Sequence, residues 1–247
     1  MKSLKLAVLA ACGVLLAVGS ARAADWELWP DKTQMPPGEL LEGLPITPTG
    51  ENLATIWIDL GDQTLEKDGV KYKALQMFRD QKFTATVPVG RYLIGLLGNA
   101  LPAGTVDLMA MTAAMNLVSV EVDGTAIPID SSYLLFVKDL VAPGHDVGLY
   151  NVFPRFTKPG IHTYVERFKL VDPFFWVEPY AQEAACGTDC GYIQDPWPAF
   201  EGHYVWVPEQ VGDPVDGFIV YEYTLTVVEE PTAVAPSTWG QVKDAQK

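Results

Sequence analysis

The stretch Leu117-Val-Ser-Val-Glu-Val122-Asp123-Gly124-Thr125-Ala-Ile-Pro-Ile129 constrains the fold more than any other part of this chain. Asp-Gly readily adopts the positive φ angles of a two-residue hairpin turn, and the apolar/polar alternation before it has the period of a pleated strand. A β-hairpin is therefore predicted, with its second strand at a sheet edge, because Pro128 has no N–H to give to a ladder. The same punctuation recurs along the chain. Asn52 to Leu60 puts Ile56, Ile58 and Leu60 on one face, and Asp68-Gly69 leads into a run from Val70 to Phe78, so two neighbouring antiparallel strands are expected there. Lys82 to Val89 alternates Phe83, Ala85 and Val87 with Thr84, Thr86 and Pro88, the pattern of a strand with one wet face. Arg91 to Leu97 is more continuously apolar and reads as a central strand.

Tyr133 to Val137, Gly148 to Phe156, Ile161 to Leu170 and Phe218 to Val228 complete the strand signals. One helix is expected, over Thr105 to Asn116, where Leu108, Met111 and Met115 fall at helical spacing. So many short strands separated by turn signals predict an all-β chain, an antiparallel β-sandwich, with a closed β-barrel as the alternative.

The pattern Val118-x-Val120-x-Val122-Asp123-Gly124, followed by Pro159-Gly160-Ile161-His162-Thr163-Tyr164, resembles secreted bacterial immunoglobulin-like β-sandwich domains. There a hairpin precedes a strand that opens on Pro-Gly. The resemblance implies an immunoglobulin-like fold and carries no catalytic residue across.

Four segments divide the 247 residues. Residues 1–23 combine Lys2 and Lys5, an apolar stretch from Leu6 to Val18, and Ala21-Arg22-Ala23 before Ala24, which is the layout of a secretory signal peptide. A lipoprotein reading of Leu9-Ala-Ala-Cys12 is disfavoured, because the apolar run continues past the cysteine. A retained anchor is disfavoured too, because the run is shorter than the roughly 18 residues of a span. Residues 24–50 carry Pro30, Pro36, Pro37, Pro45 and Pro48 and read as an extended arm pinned by Trp26 and Trp29. Residues 51–228 hold the sandwich, and residues 229–247 form a polar tail whose Trp239 suits an anchor on this domain or on a partner.

Export favours disulfides and places the mature protein in a periplasmic or extracellular space. Loss of Lys2, Lys5 and Arg22 with the leader leaves 14 basic residues against 31 acidic ones. That excess repels phosphate backbones and anionic lipid, so neither nucleic acid nor a membrane surface is an expected partner. No second segment of the mature chain has the length and apolarity of a membrane span.

Residues 172–216 show little alternation, yet hold six prolines, nine aromatic residues and Cys186 and Cys190. A long irregular aromatic-rich insertion of this kind in a compact domain is usually functional. Its aromatics Trp176, Tyr180, Tyr192, Trp197 and Trp206 are the candidate binding residues. Interleaved with Glu178, Glu183, Asp189, Asp195, Glu201 and Glu209, they suit a carbohydrate-like ligand, with rings stacked on sugar faces and carboxylates accepting from hydroxyls. Two of those carboxylates would serve an acid–base pair in a periplasmic or extracellular carbohydrate-active enzyme.

Cys186 and Cys190 are expected to form a disulfide across a small loop flexed by Gly187 and Gly191. Cys186-x3-Cys190-Gly191 also resembles the core of binuclear copper domains in respiratory oxidases, which implies an alternative Cys/His copper or other metal site of Cys186, Cys190, His162 and His203. The chain departs from that pattern by carrying Gln194 where the family has histidine. His162 shares a strand face with Tyr164, Phe168 and Leu170, which suits a hydrogen-bonded, half-buried histidine, and His145 follows Pro143-Gly144 in a turn context.

There is no G-x-S-x-G elbow, P-loop, G-x-G-x-x-G, H-E-x-x-H or EF-hand loop. The primary expectation is an exported, non-enzymatic binding or accessory module that uses the 172–216 segment on a protein partner or a carbohydrate-like ligand, without a cofactor.

Overall fold

A computed structural model describes residues 24–46, 57–77, 80–102, 107–142, 145–169, 172–178, 202–207 and 218–229. These residues are mostly strand, arranged in four sheets with one helix, and no sheet closes into a barrel. The all-β expectation holds, and the barrel alternative is overturned: each sheet ends in two edge strands that find no mutual partner among the described residues.

The largest sheet has five strands in the order β5 (Gln81–Pro88), β16 (Ile219–Val228), β13 (Gly160–Phe168), β8 (Leu117–Val122) and β9 (Thr125–Pro128). The β8–β9 hairpin turns on Asp123 and Gly124, with φ of 47° and 77°, and β9 with Pro128 forms the sheet edge as anticipated. The period-2 pattern of β16 sends Tyr221, Tyr223, Leu225 and Val227 into the core and Thr224 and Thr226 to water. On β5, Thr84 and Thr86 are exposed while Val87 is buried, the one-sided wetting its alternation predicts.

A second sheet joins β1 (Trp26–Leu28), β12 (Pro154–Phe156), β6 (Tyr92–Ile94) and β2 (Leu41–Gly43). The Pro-rich arm thus supplies both edge strands of this sheet, flanking the inner pair β12 and β6. Trp29 stands edge-on to the Tyr92 ring with centroids 5.1 Å apart, and Leu41 and Leu44 are buried in the main core. The arm is part of the folded body because its Trp29, Leu41 and Leu44 lose water there.

The third sheet is β10 (Leu134–Ala142), β11 (His145–Tyr150) and β7 (Gly98–Pro102), packed against α1 (Leu108–Met115). Asp107 caps α1 by accepting from the Ala110 N–H at 3.0 Å, and Asn116 ends it in the left-handed region at φ 49°. Leu108, Met111, Thr112 and Met115 form its buried stripe. The run Gly148 to Phe156, expected as one strand, is broken at residues 151–153 into β11 and β12, which serve different sheets. Asn151 holds the break, donating from Nδ2 to the carbonyls of Asp31 and Gln34 in the arm.

The fourth sheet runs β14 (Phe174–Glu178), β15 (Gly202–Trp206), β4 (Val70–Met77) and β3 (Trp57–Lys67). Here the reading of 172–216 as irregular throughout is corrected, since its two ends pair antiparallel from Phe174 opposite Trp206 to Glu178 opposite Gly202. Pro173, Pro179 and Pro208 punctuate these short runs and mask their alternation in the sequence. Purely antiparallel pairing is also overturned: β16 with β5, β15 with β4 and β2 with β6 are parallel.

Candidate functional site

Alternation along β14 and β15 sorts their side chains between two faces of the fourth sheet. Phe174, Trp176, Tyr204 and Trp206 point into the main core, with Trp176 only 4% and Trp206 only 2% exposed. Both tryptophans are therefore packing residues. Trp176 stacks on Phe174 with centroids 6.3 Å apart and lies tilted against Tyr204, and at this burial neither it nor Trp206 offers a face to a sugar, which argues against their expected role as binding platforms. Tyr180, Tyr192, Trp197, Cys186 and Cys190 lie outside the described residues, and so does the expected disulfide.

The opposite face carries a second apolar cluster. Ala74, Val205 and Val207 are buried there, with Leu60, Leu65, Tyr72 and Phe175 packed around them. Tyr72 stands between two rings, edge-on to Phe175 at 4.9 Å and to His203 at 5.3 Å between centroids. Lys67 Nζ lies 4.9 Å from the Phe175 centroid, within cation–π range. His203 is exposed, and Val177, on edge strand β14, is 44% exposed. A sheet apolar on both faces usually has both covered. Sequence reasoning named His203, and Phe175 as a ring in need of burial or a ligand, but missed Tyr72 and Val177, because the outward face exists only once β14, β15 and β4 are side by side.

The histidines do not share a location. His162 belongs to the five-stranded sheet, is 8% exposed, and has Nδ1 2.7 Å from Asp123 Oδ2 and Nε2 3.3 Å from the Lys158 carbonyl. Its ring lies 4.1 Å from that of Phe156. This is the hydrogen-bonded histidine anticipated from the strand pattern, more deeply buried than expected. His203 sits on the fourth sheet beside Tyr72. Among the described residues no three His, Cys, Asp or Glu side chains gather as a metal site would require.

One chemically distinctive group escaped the sequence reading. Glu166 occupies the same β13 face as His162, Tyr164 and Phe168 and has no exposed surface. Its Oε1 accepts from the Tyr164 hydroxyl at 3.0 Å and its Oε2 from the Leu96 N–H at 3.1 Å. Burial pushes the carboxyl up to about 7, against the opposing pull of those two donors. The same burial, with the Glu166 charge nearby, pushes Tyr164, Tyr221 and Tyr223 above the ordinary phenol range. The signal was a lone acid on an apolar strand face. Comparison of the chain with models of known protein families, with curated proteins and with solved structures found no match.

Proposed function

We propose that this protein is an exported, non-enzymatic, immunoglobulin-like β-sandwich module that docks a protein partner on the outward face of the fourth sheet. The observation that carries the reading is the second apolar cluster around Val205, bordered by exposed Val177 and His203. Two features favour a protein partner over a carbohydrate-like ligand. Tyr72 meets its neighbours at 83° and 89°, so the three rings form a ridged surface rather than one flat plate. The apolar side chains also border β14, an edge strand among the described residues, the kind of element on which a partner strand adds. The module needs no catalytic set in this role, and its acidic charge favours a basic partner surface.

Val177→Lys is the informative variant, because Val177 is exposed and its replacement should leave the thermal midpoint within about 2 °C of wild type. Affinity capture from the native envelope fraction should then retain a stoichiometric partner with wild type and lose it at least tenfold with Val177→Lys. Equal retention by both proteins overturns the docking face. Retention of a glycan by wild type on an array, with no protein partner, returns the carbohydrate reading.

A further inference from the structure

Glu166 links two sheets. It belongs to β13 of the five-stranded sheet, yet Oε2 accepts from Leu96, two residues beyond β6 of the second sheet. The close approach requires Gly95, where a Cβ would lie 2.3 Å from Oε1. The groups around the carboxyl come from four elements. β13 contributes Tyr164, and β16 contributes Tyr221, directly opposite in register, and Tyr223. β8 contributes apolar Val120, and the turn after β6 contributes the backbone of Gly95 and Leu96. None of these is a cation.

An ionised carboxylate here loses its hydration and gains two hydrogen bonds without a counter-charge, whereas the neutral acid avoids most of that cost. The neutral acid keeps the Leu96 bond at Oε2 and the Tyr164 bond at Oε1 without burying a charge. The Tyr223 hydroxyl, buried with no hydrogen-bond partner among the described residues, sits on a ring 5.6 Å from that of Tyr164. The polar interior is thus incompletely satisfied next to the acid, which leaves it prone to rearrangement.

We propose that Glu166 is a proton-operated tie between the five-stranded sheet and the Gly95–Leu96 turn: with its proton held, the carboxyl stays buried against the turn, and when the proton leaves to bulk water the uncompensated charge is relieved by opening of the turn to solvent, which gives up the Leu96 and Tyr164 bonds. The tie is independent of the docking face, since none of its residues lies on the fourth sheet. Loosening frees the turn that leads from β6 into β7, and so connects ambient pH to the seam between the second and third sheets.

The test compares urea unfolding of the full mature chain with that of Glu166→Gln from about pH 5 to about pH 8. Relative to Glu166→Gln, the wild-type unfolding constant should rise roughly a hundredfold across that range. The Leu96 amide should lose exchange protection over the same interval in wild type alone. Parallel pH profiles for the two proteins overturn the tie. Should Glu166→Gln fail to fold, infrared titration of wild type decides. A protonated-carboxyl band that persists to near-neutral pH and then vanishes is expected, and no such band at about pH 6 overturns it. Tyr164→Phe removes a donor that favours the ionised form, so it should move the band's disappearance to higher pH, and an unmoved band refutes the assignment to Glu166.

Discussion

Glu166 and Gly95 are a matched pair, in which the buried carboxyl leaves no room for a side chain at position 95. The carboxyl fills the volume that any side chain at position 95 would need. Gly95→Ala should therefore destabilise by about 2–3 kcal/mol, the order expected of overpacking, with the loss read as a lowered urea midpoint at constant slope. Because the folded acid titrates near 7 against an ordinary 4.5, the folded state binds the extra proton between those values. The resulting stabilisation is fully present below about pH 4.5 and is lost as pH rises through about 7, for a total on the order of 3 kcal/mol. Asp123 shows the opposite use of a carboxylate. At the mouth of a turn it accepts from the Thr163 N–H at 2.9 Å and from His162, and it holds φ 47° itself. Loss of both bonds in Asp123→Ala should cost about 2 kcal/mol in chemical denaturation.

At the scale of elements, short-range chemistry decided what formed. The two Asp-Gly pairs turn where they stand, with Asp68 and Gly69 at φ 53° and 77° between β3 and β4. Helix α1 has only eight residues and is marginal by propensity, so its ends matter. Asp107→Ala removes the N-terminal acceptor and should cost about 1 kcal/mol, together with faster amide exchange at Ala110. β14 and β15 show where local reading fails. Each spans five residues, close to the shortest run in which alternation can be recognised, and each is bounded by proline or glycine. Their pairing is made by Phe174, Trp176, Tyr204 and Trp206 meeting in the core, a contact between residues about thirty positions apart in sequence.

At the scale of the whole molecule, the four sheets of the described residues share one core to which 30 of those residues contribute as buried members. The three parallel pairings join chain segments that are remote in sequence, such as β5 with β16, so they raise the contact order and slow folding. Among the described residues no helix is long and apolar enough to cross a membrane. The formal charge of −14 acts against compaction through self-repulsion at neutral pH. Raising sodium chloride from about 10 mM to about 300 mM should screen that repulsion and raise the thermal midpoint by a few degrees, as read by circular dichroism. A midpoint that falls with salt would show that ion pairs such as Lys82–Glu222 and Arg155–Glu27 outweigh the net charge.

The sequence by itself determined the all-β class, the β8–β9 hairpin with its proline edge, the wet face of β5, the position of α1 and the hydrogen-bonded state of His162. Each of these follows from turn chemistry or periodicity within about a dozen residues, where the backbone's own preferences dominate. Only the tertiary structure decided that the arm supplies two strands, that Trp176 and Trp206 are core, and that Tyr72, Phe175 and His203 form one surface. It also decided that Glu166 lies against Gly95, 71 positions away in the chain. Those outcomes depend on which strands become neighbours, and that is set by how the whole set of apolar faces is removed from water together, a quantity no local pattern contains.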